Sequence, residues 1–484
     1  MKQIKLLDNT LYTAKGEESL FAVKCDILEN KPKNEIAFIK EINGYTIEEL
    51  NQRKKAEGGI MVWPHSFQNE LAKMTILNCK INWESKQIDE LRTGNLVGFI
   101  GNDKVQLEIN SRFSTEREEK KEDKRVDFFL YYMLSKVFNV NIVDMQVGSG
   151  SIKELNLLFF MFPRLLKEAM SQGVFKQYVK REYNNCNIRG TIDISKHIRK
   201  NYPSNGRIAY TTREFSYDNN ITQLIRHTIE YISSMPDGRS LLKGDEDLEM
   251  CTRIIKEVTP TYQKKARERV INDNNRPTTH PYFTKYKVLQ NLCLAILRKE
   301  KMSHGSMNNK VHGLLIDVAW LWEEYIGITM REAGFAHHTS DNAFKLFERT
   351  DEEQFQNIIP DYVWEQEGKS VIADAKYIPL DEYHHINADK ASAVYYKTIM
   401  YMYRFATNIG ILFHPCKPKE NADMQVTFND YQVANGRNCH LYKVGLVIPD
   451  CKKYNEYKDF KEELEKREIS FNDTVKRHCF THLK

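Results

Sequence analysis

In the first 113 positions apolar residues come in short runs broken by turn residues, a pattern that predicts strands. "NLVGFIGNDKVQLEINSRF" is the clearest case: Leu96–Ile100, a Gly101-Asn102-Asp103 turn, then alternation over Val105–Ile109. Between Thr115 and Arg125 ten of eleven residues are charged, which predicts a solvated linker or exposed helix and a boundary. From Val126 the spacing becomes helical. Apolar residues recur three and four apart through "VDFFLYYMLSKVF", "LNLLFFMFPRLLKEAMSQGVFKQYVKREY", "NITQLIRHTIEYISSM" and "YFTKYKVLQNLCLAILRKEK". "KMSHGSMNNKVHG" (Lys301–Gly313) is rich in helix breakers and predicts a second boundary. Beyond it the pattern predicts a helix over "LLIDVAWLWEEYIGITMREAG", a hairpin within "NIIPDYVWEQEGKSVIADAKYIPL", a helix over "ADKASAVYYKTIMYMYRFAT" and a strand at "IGILFHP". No internal repeat is visible. The expected fold is a multidomain α/β chain with a β-rich N-terminal domain at 1–113 and a mainly helical middle domain at 126–300. An α/β domain at 301–450 and a helical tail at 451–484 complete it.

Composition narrows the class. The 484 residues, 41% hydrophobic and 28% charged, suit a soluble globular protein with a sizeable core. With 71 basic and 66 acidic residues the net charge is +5, so any case for an anionic partner rests on local patches. Nine cysteines without a C-x-x-C pair argue against a zinc ribbon or disulfide framework and for reduced thiols. The N-terminus lacks the apolar core of a signal peptide, and the greasiest run, Leu155–Leu166, is too short to span a bilayer. The expectation is a cytoplasmic protein with no membrane association.

The hairpin holds the candidate chemistry. With Glu367-Gly368 as a two-residue turn, Trp364 pairs with Val371, Val363 with Ile372 and Asp361 with Asp374. The two aspartates then stand opposite, with Cβ atoms roughly 5 Å apart, and like charges so placed are destabilising unless a cation lies between them. Side chains alternate along a strand, so Lys376 shares the face of Asp374. Two carboxylates and an ammonium on one surface are what metal-dependent phosphodiester hydrolysis requires. The acids hold Mg²⁺, the ion activates water, and the lysine positions it. The same charges also fit an ordinary solvent-facing hairpin. "GKS" at Gly368–Ser370 is not a phosphate-binding loop, because Val363 stands where that motif needs glycine.

Other stretches admit two readings. "KQYVKREYNNCNIRGTIDISKHIRKN" carries Lys180, Arg181 and Arg189 among tyrosines, which suits either phosphate contacts along a duplex or a basic solvated helix-loop. Asp218 or Asn219 is expected to cap the helix that follows. The pairs His337-His338 and His384-His385 have no metal-ligand spacing and read as surface histidines. Glu323, beside an apolar helical stripe, suits a metal site or a solvent boundary.

Pro360-Asp361 with Asp374-Ala375-Lys376 resembles the PD-(D/E)xK nuclease signature, and its surroundings resemble the McrC family of McrBC-type and LlaJI-like restriction systems. "WLWEEYI", "VKREYNNCNIRGTIDISKHIRKN", "REFSYDNNITQLIRHTIEYI" and "VGFIGNDKVQLEINSRF" are similar to family motifs in the same order. Two positions depart: Lys397 stands where the family's Gln-x-x-x-Tyr places glutamine ahead of Tyr401, and Ser111-Arg112 replaces Pro-Lys. The resemblance implies a restriction-endonuclease-like α/β domain at 301–450 and an N-terminal domain that engages a partner. It also implies Asp361, Asp374 and Glu323 as metal ligands, Lys376 as a catalytic group, and Lys397 with Tyr401 on DNA. The implied activity is Mg²⁺-dependent cleavage of duplex DNA, with Mn²⁺ as an alternative ion. GTP would be hydrolysed only by a McrB-like AAA+ hexamer that this chain stimulates. Competing readings are a nuclease-silent regulator of such a ring and a stand-alone DNA repair nuclease.

Overall fold

The structure is a computed structural model that describes residues 2–13, 22–24, 28, 32–54, 60–64, 74–82, 84, 87–102, 104–119, 122–139, 154–302, 312–338, 343–348, 354–378, 380, 388–418, 424–434 and 438–479. The chain is mixed α/β and forms two compact units, Met1–Glu154 with Met307–Lys484, and Leu155–Ser306.

The first unit contains two larger sheets. One has the strand order Lys2–Leu7, Val105–Asn110, Leu96–Gly101, His312–Asp317, Ile60–Trp63. The strand pair expected around residues 96–109 is present and antiparallel; Asp103 of its turn lies outside the described residues. Helix Lys33–Ile42 packs Phe38, Ile39 and Ile42 into the same core as Ile4, Leu107 and Ile100. Gly98 needs to be glycine: its φ is +136°, and a Cβ would meet the Leu314 carbonyl oxygen at 2.2 Å.

The second sheet carries the hairpin. Its order is Ala336–His337, Tyr362–Gln366, Lys369–Ala375, Ile409–Cys416, His440–Val447, Val426–Gln432. Lys369–Ala375 runs parallel to Ile409–Cys416, and that strand runs parallel to His440–Val447. Central parallel strands need cover on both faces. Helix Ala388–Arg404 covers the face of Ile372 and Leu412, with Tyr401 against Ile372 and Val363. Helices Val318–Arg331 and Tyr457–Cys479 cover the other face, where Phe413 meets Phe471 and its carbonyl accepts from Trp322.

Three sequence expectations are corrected. The charged block 115–125 is neither linker nor helix: Thr115–Glu119 and Glu122–Val126 form an antiparallel pair, with Lys124 opposite Arg117 and Arg125 opposite Glu116. The stretch from Leu314 is not one helix. Its first residues belong to strand His312–Asp317, and Asp317 caps helix Val318–Arg331 by accepting from the Ala319 and Trp320 N–H groups. Leu314, Leu315 and Ile316 are apolar on both faces because the strand is internal, which a helical period cannot tell from a helix. The third concerns "FKQYVKREY", read as helical: helix Glu154–Met170 stops before it, and Gln177–Asn185 is a strand.

The second unit packs helices Asn220–Ser234, Glu246–Val258, Arg267–Asp273 and Lys285–Met302 beside a ribbon of Gln177–Asn185, Ile208–Ser216 and Thr191–Ile192. Asn219 caps its helix in a reciprocal box with Thr222, one of the two residues expected there. Of the breaker-rich stretch Lys301–Gly313, Lys301 and Met302 end helix Lys285–Met302, His312 and Gly313 begin strand His312–Asp317, and 303–311 lie outside the described residues, as do His384-His385.

Candidate active site

Glu367 and Gly368 both adopt positive φ, +51° and +76°, as the two-residue hairpin turn that matches strand twist demands. The turn sets the register: Gln366↔Lys369, Trp364↔Val371, Val363↔Ile372, Tyr362↔Ala373. The ladder ends there: Asp361 is a bend residue just before the strand, and Asp374 lies on the strand face shared with Ile372, which helix Ala388–Arg404 covers. Asp374 is 1% exposed and Asp361 9%. Both are thus taken out of water, where an unpaired carboxylate is very unfavourable.

Their partners differ. Asp361 Oδ2 accepts a hydrogen bond from the Ala375 N–H at 2.7 Å. Both oxygens of Asp374 lack a hydrogen-bond partner among the described residues. Two ammonium groups face Asp374 instead: Lys376 Nζ in direct ion-pair contact with Oδ2, and Lys397 Nζ 3.8 Å from Oδ1. Lys376 Nζ also lies 3.7 Å from Asp361 Oδ2, so it bridges the two acids. Burial pushes the Asp361 carboxyl well above its ordinary range, the charges of Asp374 and Glu323 add to that, and Lys376 opposes it. Burial pulls the Lys376 ammonium down, but Asp374 and Asp361 outweigh it and its pKa is raised. Lys397 is raised likewise, by Asp374 and Tyr401 against burial.

Glu323 is not drawn into this group. Its backbone carbonyl accepts from the Tyr362 hydroxyl, on the face opposite Asp374, and its carboxylate is hydrogen-bonded to His337 Nε2 at 3.2 Å. Among the described residues no cluster of three His, Cys, Asp or Glu side chains stands ready to hold a metal ion. Two carboxylates remain, Asp361 and Asp374. Such a pair suits a hard cation that keeps several waters and would compete with Lys376 and Lys397 for the oxygens of Asp374.

The surface reading of His337 is overturned. It is partly buried, its ring lies 5.2 Å from that of Tyr362, and Glu323 with Glu324 raise its pKa against the lowering effect of burial. No spacing in the sequence signals this contact, because His337 and Glu323 meet only through the sheet edge. His338 packs on Phe344 instead. Tyr401 donates to the Ile359 carbonyl oxygen at 2.8 Å, so it braces the approach to Pro360-Asp361.

Of the basic residues of the second unit, Lys180 and Arg181 sit on strand Gln177–Asn185, Arg189 lies in the segment between that strand and Thr191–Ile192, and helix Ile194–Asn201 follows. Lys180 is exposed opposite Arg213, beside the exposed pair Tyr178 and Phe215, whose rings are 5.0 Å apart. Arg181 is half-buried and paired with Asp218 at 3.6 Å. Arg189 is exposed. A cavity of about 470 Å³ beside them is lined by Lys180, Arg181, Asp218, Gln223 and Arg269. The Asp218 carboxylate is already engaged there by Gln223 and Thr261.

A family model described as "McrBC 5-methylcytosine restriction system component" matches residues 91–415, more than half of the chain. No curated protein matches the sequence. Among solved structures, the chain is similar to a half-complex from a tetradecameric assembly of Thermococcus gammatolerans McrB AAA+ hexamers with bound McrC. That match has 15% identity and a TM-score of 0.41, and covers 96% of this chain and 100% of that one. The Thermococcus gammatolerans McrBC complex also matches, at 13% identity and a TM-score of 0.29, covering 68% of this chain and 87% of that one. No helix among the described residues is long and apolar enough to cross a membrane.

Proposed function

The chain belongs to the McrBC family of restriction-system components, and we propose that it is the endonuclease subunit of such a system. In this reading it hydrolyses phosphodiesters of duplex DNA with Mg²⁺, through a PD-(D/E)xK-type site in its C-terminal α/β region. A McrB-like AAA+ GTPase is its partner, and GTP acts only through that partner. The observation that carries the reading is the burial of Asp361 and Asp374 side by side around one lysine. Two buried carboxylates disfavour folding unless cations offset them; Lys376 and Lys397 do so here, and a divalent ion would bind in the same charge field.

Asp361 and Asp374 would hold the ion, which when bound polarises the scissile phosphate and lowers the pKa of a water. Asp361 would be held in place by the Ala375 N–H. Lys376, protonated, would orient the attacking water and offset charge developing on the phosphate oxygens. Lys397, 3.8 Å from Asp374, would supply positive charge either to that carboxylate or to an approaching duplex phosphate, with Tyr401 bracing the strand behind it. Glu323 would act from a distance, through charge and through His337. Burial and Asp374 raise the Asp361 pKa, a bound divalent ion would oppose that rise, and Mg²⁺ affinity should therefore strengthen as pH rises.

The test is Asp374→Ala in the full chain, assayed with the partner GTPase, GTP, Mg²⁺ and duplex DNA. The expected result is loss of cleavage with partner binding and GTPase stimulation retained. Undiminished cutting by the variant would falsify the site. Cutting by the wild-type chain without GTP or partner would favour a stand-alone nuclease. A wild-type chain that stimulates the GTPase, shows no Mg²⁺-dependent change at the hairpin and never cuts would be a silent regulator.

A further inference from the structure

Lys376 stands one residue beyond strand Lys369–Ala375, where the antiparallel pairing with Tyr362–Gln366 has already ended. On one side its backbone is fixed by its own N–H, which donates to the Phe413 carbonyl oxygen at 2.7 Å. On the other side the chain is held by residues from the far N-terminal sheet. Tyr377 is 2% exposed. The Arg112 guanidinium lies over its ring at 4.3 Å, and the rings of Phe113 and Trp322 sit 6.2 and 6.4 Å away. The Asn9 side-chain amide donates to the Tyr377 carbonyl oxygen at 3.2 Å, and the Tyr377 hydroxyl lies 3.5 Å from Ser111 Oγ.

Arg112 and Asn9 are themselves tied to one fully buried carboxylate. Asp8 Oδ1 accepts from the Arg112 N–H at 2.5 Å. Asp8 Oδ2 lies 3.4 Å from Arg112 Nη1 and accepts from Asn9 Nδ2 at 3.3 Å. Asp8 follows strand Lys2–Leu7 and Arg112 follows Val105–Asn110, so the knot closes the ends of two neighbouring parallel strands onto Tyr377. A buried ion pair adds little net stability compared with apolar residues of similar volume. What this pair supplies is geometry. A lysine ammonium on a flexible four-carbon stem reaches a fixed point only if its backbone is fixed, and misplacement by about 1 Å near reacting groups can lower rates strongly.

We propose that Asp8, Asn9 and Arg112 are positioning residues that lock Tyr377, and through it the backbone from which Lys376 reaches Asp374 and Asp361. The catalytic consequence rests on the nuclease reading; the placement of the lysine does not. None of the three touches the acids.

The test pairs kinetics with a crystal structure. In the full chain with partner, GTP and Mg²⁺, Arg112→Met should lower kcat for DNA cleavage about tenfold and leave the KM for DNA unchanged. Arg112→Lys keeps the charge against Asp8 and should recover most of the rate. Asn9→Gly accepts the positive φ of +46° at that position and removes only the amide; it should lower kcat about threefold, and it decides the matter if Arg112→Met does not fold. The crystal structure of Arg112→Met, or of Asn9→Gly in that case, should show the Lys376 ammonium displaced from Asp374 with the hairpin register intact. Lys376 still on Asp374 in that crystal, or an unchanged kcat with a raised KM, would overturn the proposal. Should the wild-type chain never cut, the nuclease reading falls, and the crystal structure still decides the clamp.

Discussion

Asp361, Asp374 and Lys376 at the hairpin and Lys180, Arg181 and Arg189 at the second unit's ribbon are alike in kind: charges on or beside β-strands. Their surroundings are opposite. In the ribbon Lys180 and Arg189 face solvent, and Arg181 is matched by Asp218. In the hairpin two like charges are buried, and the oxygens of Asp374 go without hydrogen bonds. Exposed charges fold at little free-energy cost in either arrangement. Buried like charges need cations beside them, which Lys376 and Lys397 supply, so the hairpin concentrates charge chemistry where the ribbon does not.

The largest effect should come from removing the bridging ammonium. Lys376→Met leaves both carboxylates facing each other with Lys397 alone nearby. DNA cleavage should fall by roughly a thousandfold, and unfolding free energy by on the order of 3 kcal/mol. Millimolar Mg²⁺ should restore more stability to the variant than it adds to the wild-type chain, since a divalent ion replaces the missing cation. Urea unfolding with and without EDTA measures this. Equal responses of the two proteins to Mg²⁺ would break the contrast, because the hairpin would then be an ordinary ion pair.

His227 sharpens the contrast from within the second unit. It is fully buried, neither ring nitrogen finds a hydrogen-bond partner among the described residues, and its ring lies 4.6 Å from that of Tyr262. Burial, then the charges of Arg267 and Arg226, pull its pKa from 6.5 to about 4. Here burial is tolerated by neutrality and not by pairing. Between those values the unfolded chain binds the extra proton, so stability falls as pH falls. From pH 7 to pH 5 the loss should be about 2 kcal/mol. His227→Leu should flatten that part of the profile in urea titrations of the two proteins; an unchanged slope would mean that the ring is protonated in the fold.

What could be read in advance follows the same division. The hairpin register was legible because Glu-Gly between alternating runs has one favoured turn, and that turn fixes every pair outward to Tyr362↔Ala373. Helices Asn220–Ser234 and Ala388–Arg404 were legible from their one-sided periodicity. Strand His312–Asp317 was not. It is apolar on both faces and runs straight into a helix cap, so period alone could not divide it from Val318–Arg331. The strand pair Thr115–Glu119 and Glu122–Val126 was hidden because charges on both strands mimic a solvated linker. The Glu323–His337 contact and the Asp8–Arg112–Tyr377 knot join positions far apart in the chain, and one sequence carries no signal for such pairs.

A smaller effect belongs to the ribbon. Replacing Lys180, Arg181 and Arg189 together with alanine should weaken duplex DNA binding about three- to tenfold and lower its salt dependence by one to two counterions. The hairpin's Mg²⁺ response should not change. Binding that is unaffected at low salt would show the ribbon's charge to be surface alone.

The smallest expected effect tests where the two kinds of charge meet. Lys397 is half-exposed yet lies 3.8 Å from a buried oxygen of Asp374, and its ammonium sits 5.2 Å from the Tyr401 ring centroid. Exposure screens it, so its hold on Asp374 is weaker than that of Lys376, which is more buried and touches both acids. Lys397→Gln removes one of two cations that compete with a divalent ion for Asp374. Mg²⁺ activation of cleavage should therefore shift two- to threefold toward lower concentration, with the saturated rate little changed. If Lys397 instead meets a DNA phosphate, the KM for DNA rises and the Mg²⁺ midpoint stays where it was. Titrating both ligands on one variant separates the two roles, and a shift in the Mg²⁺ midpoint alone assigns Lys397 to the buried acids of the hairpin, while a shift in KM alone assigns it to the exposed class that the ribbon represents.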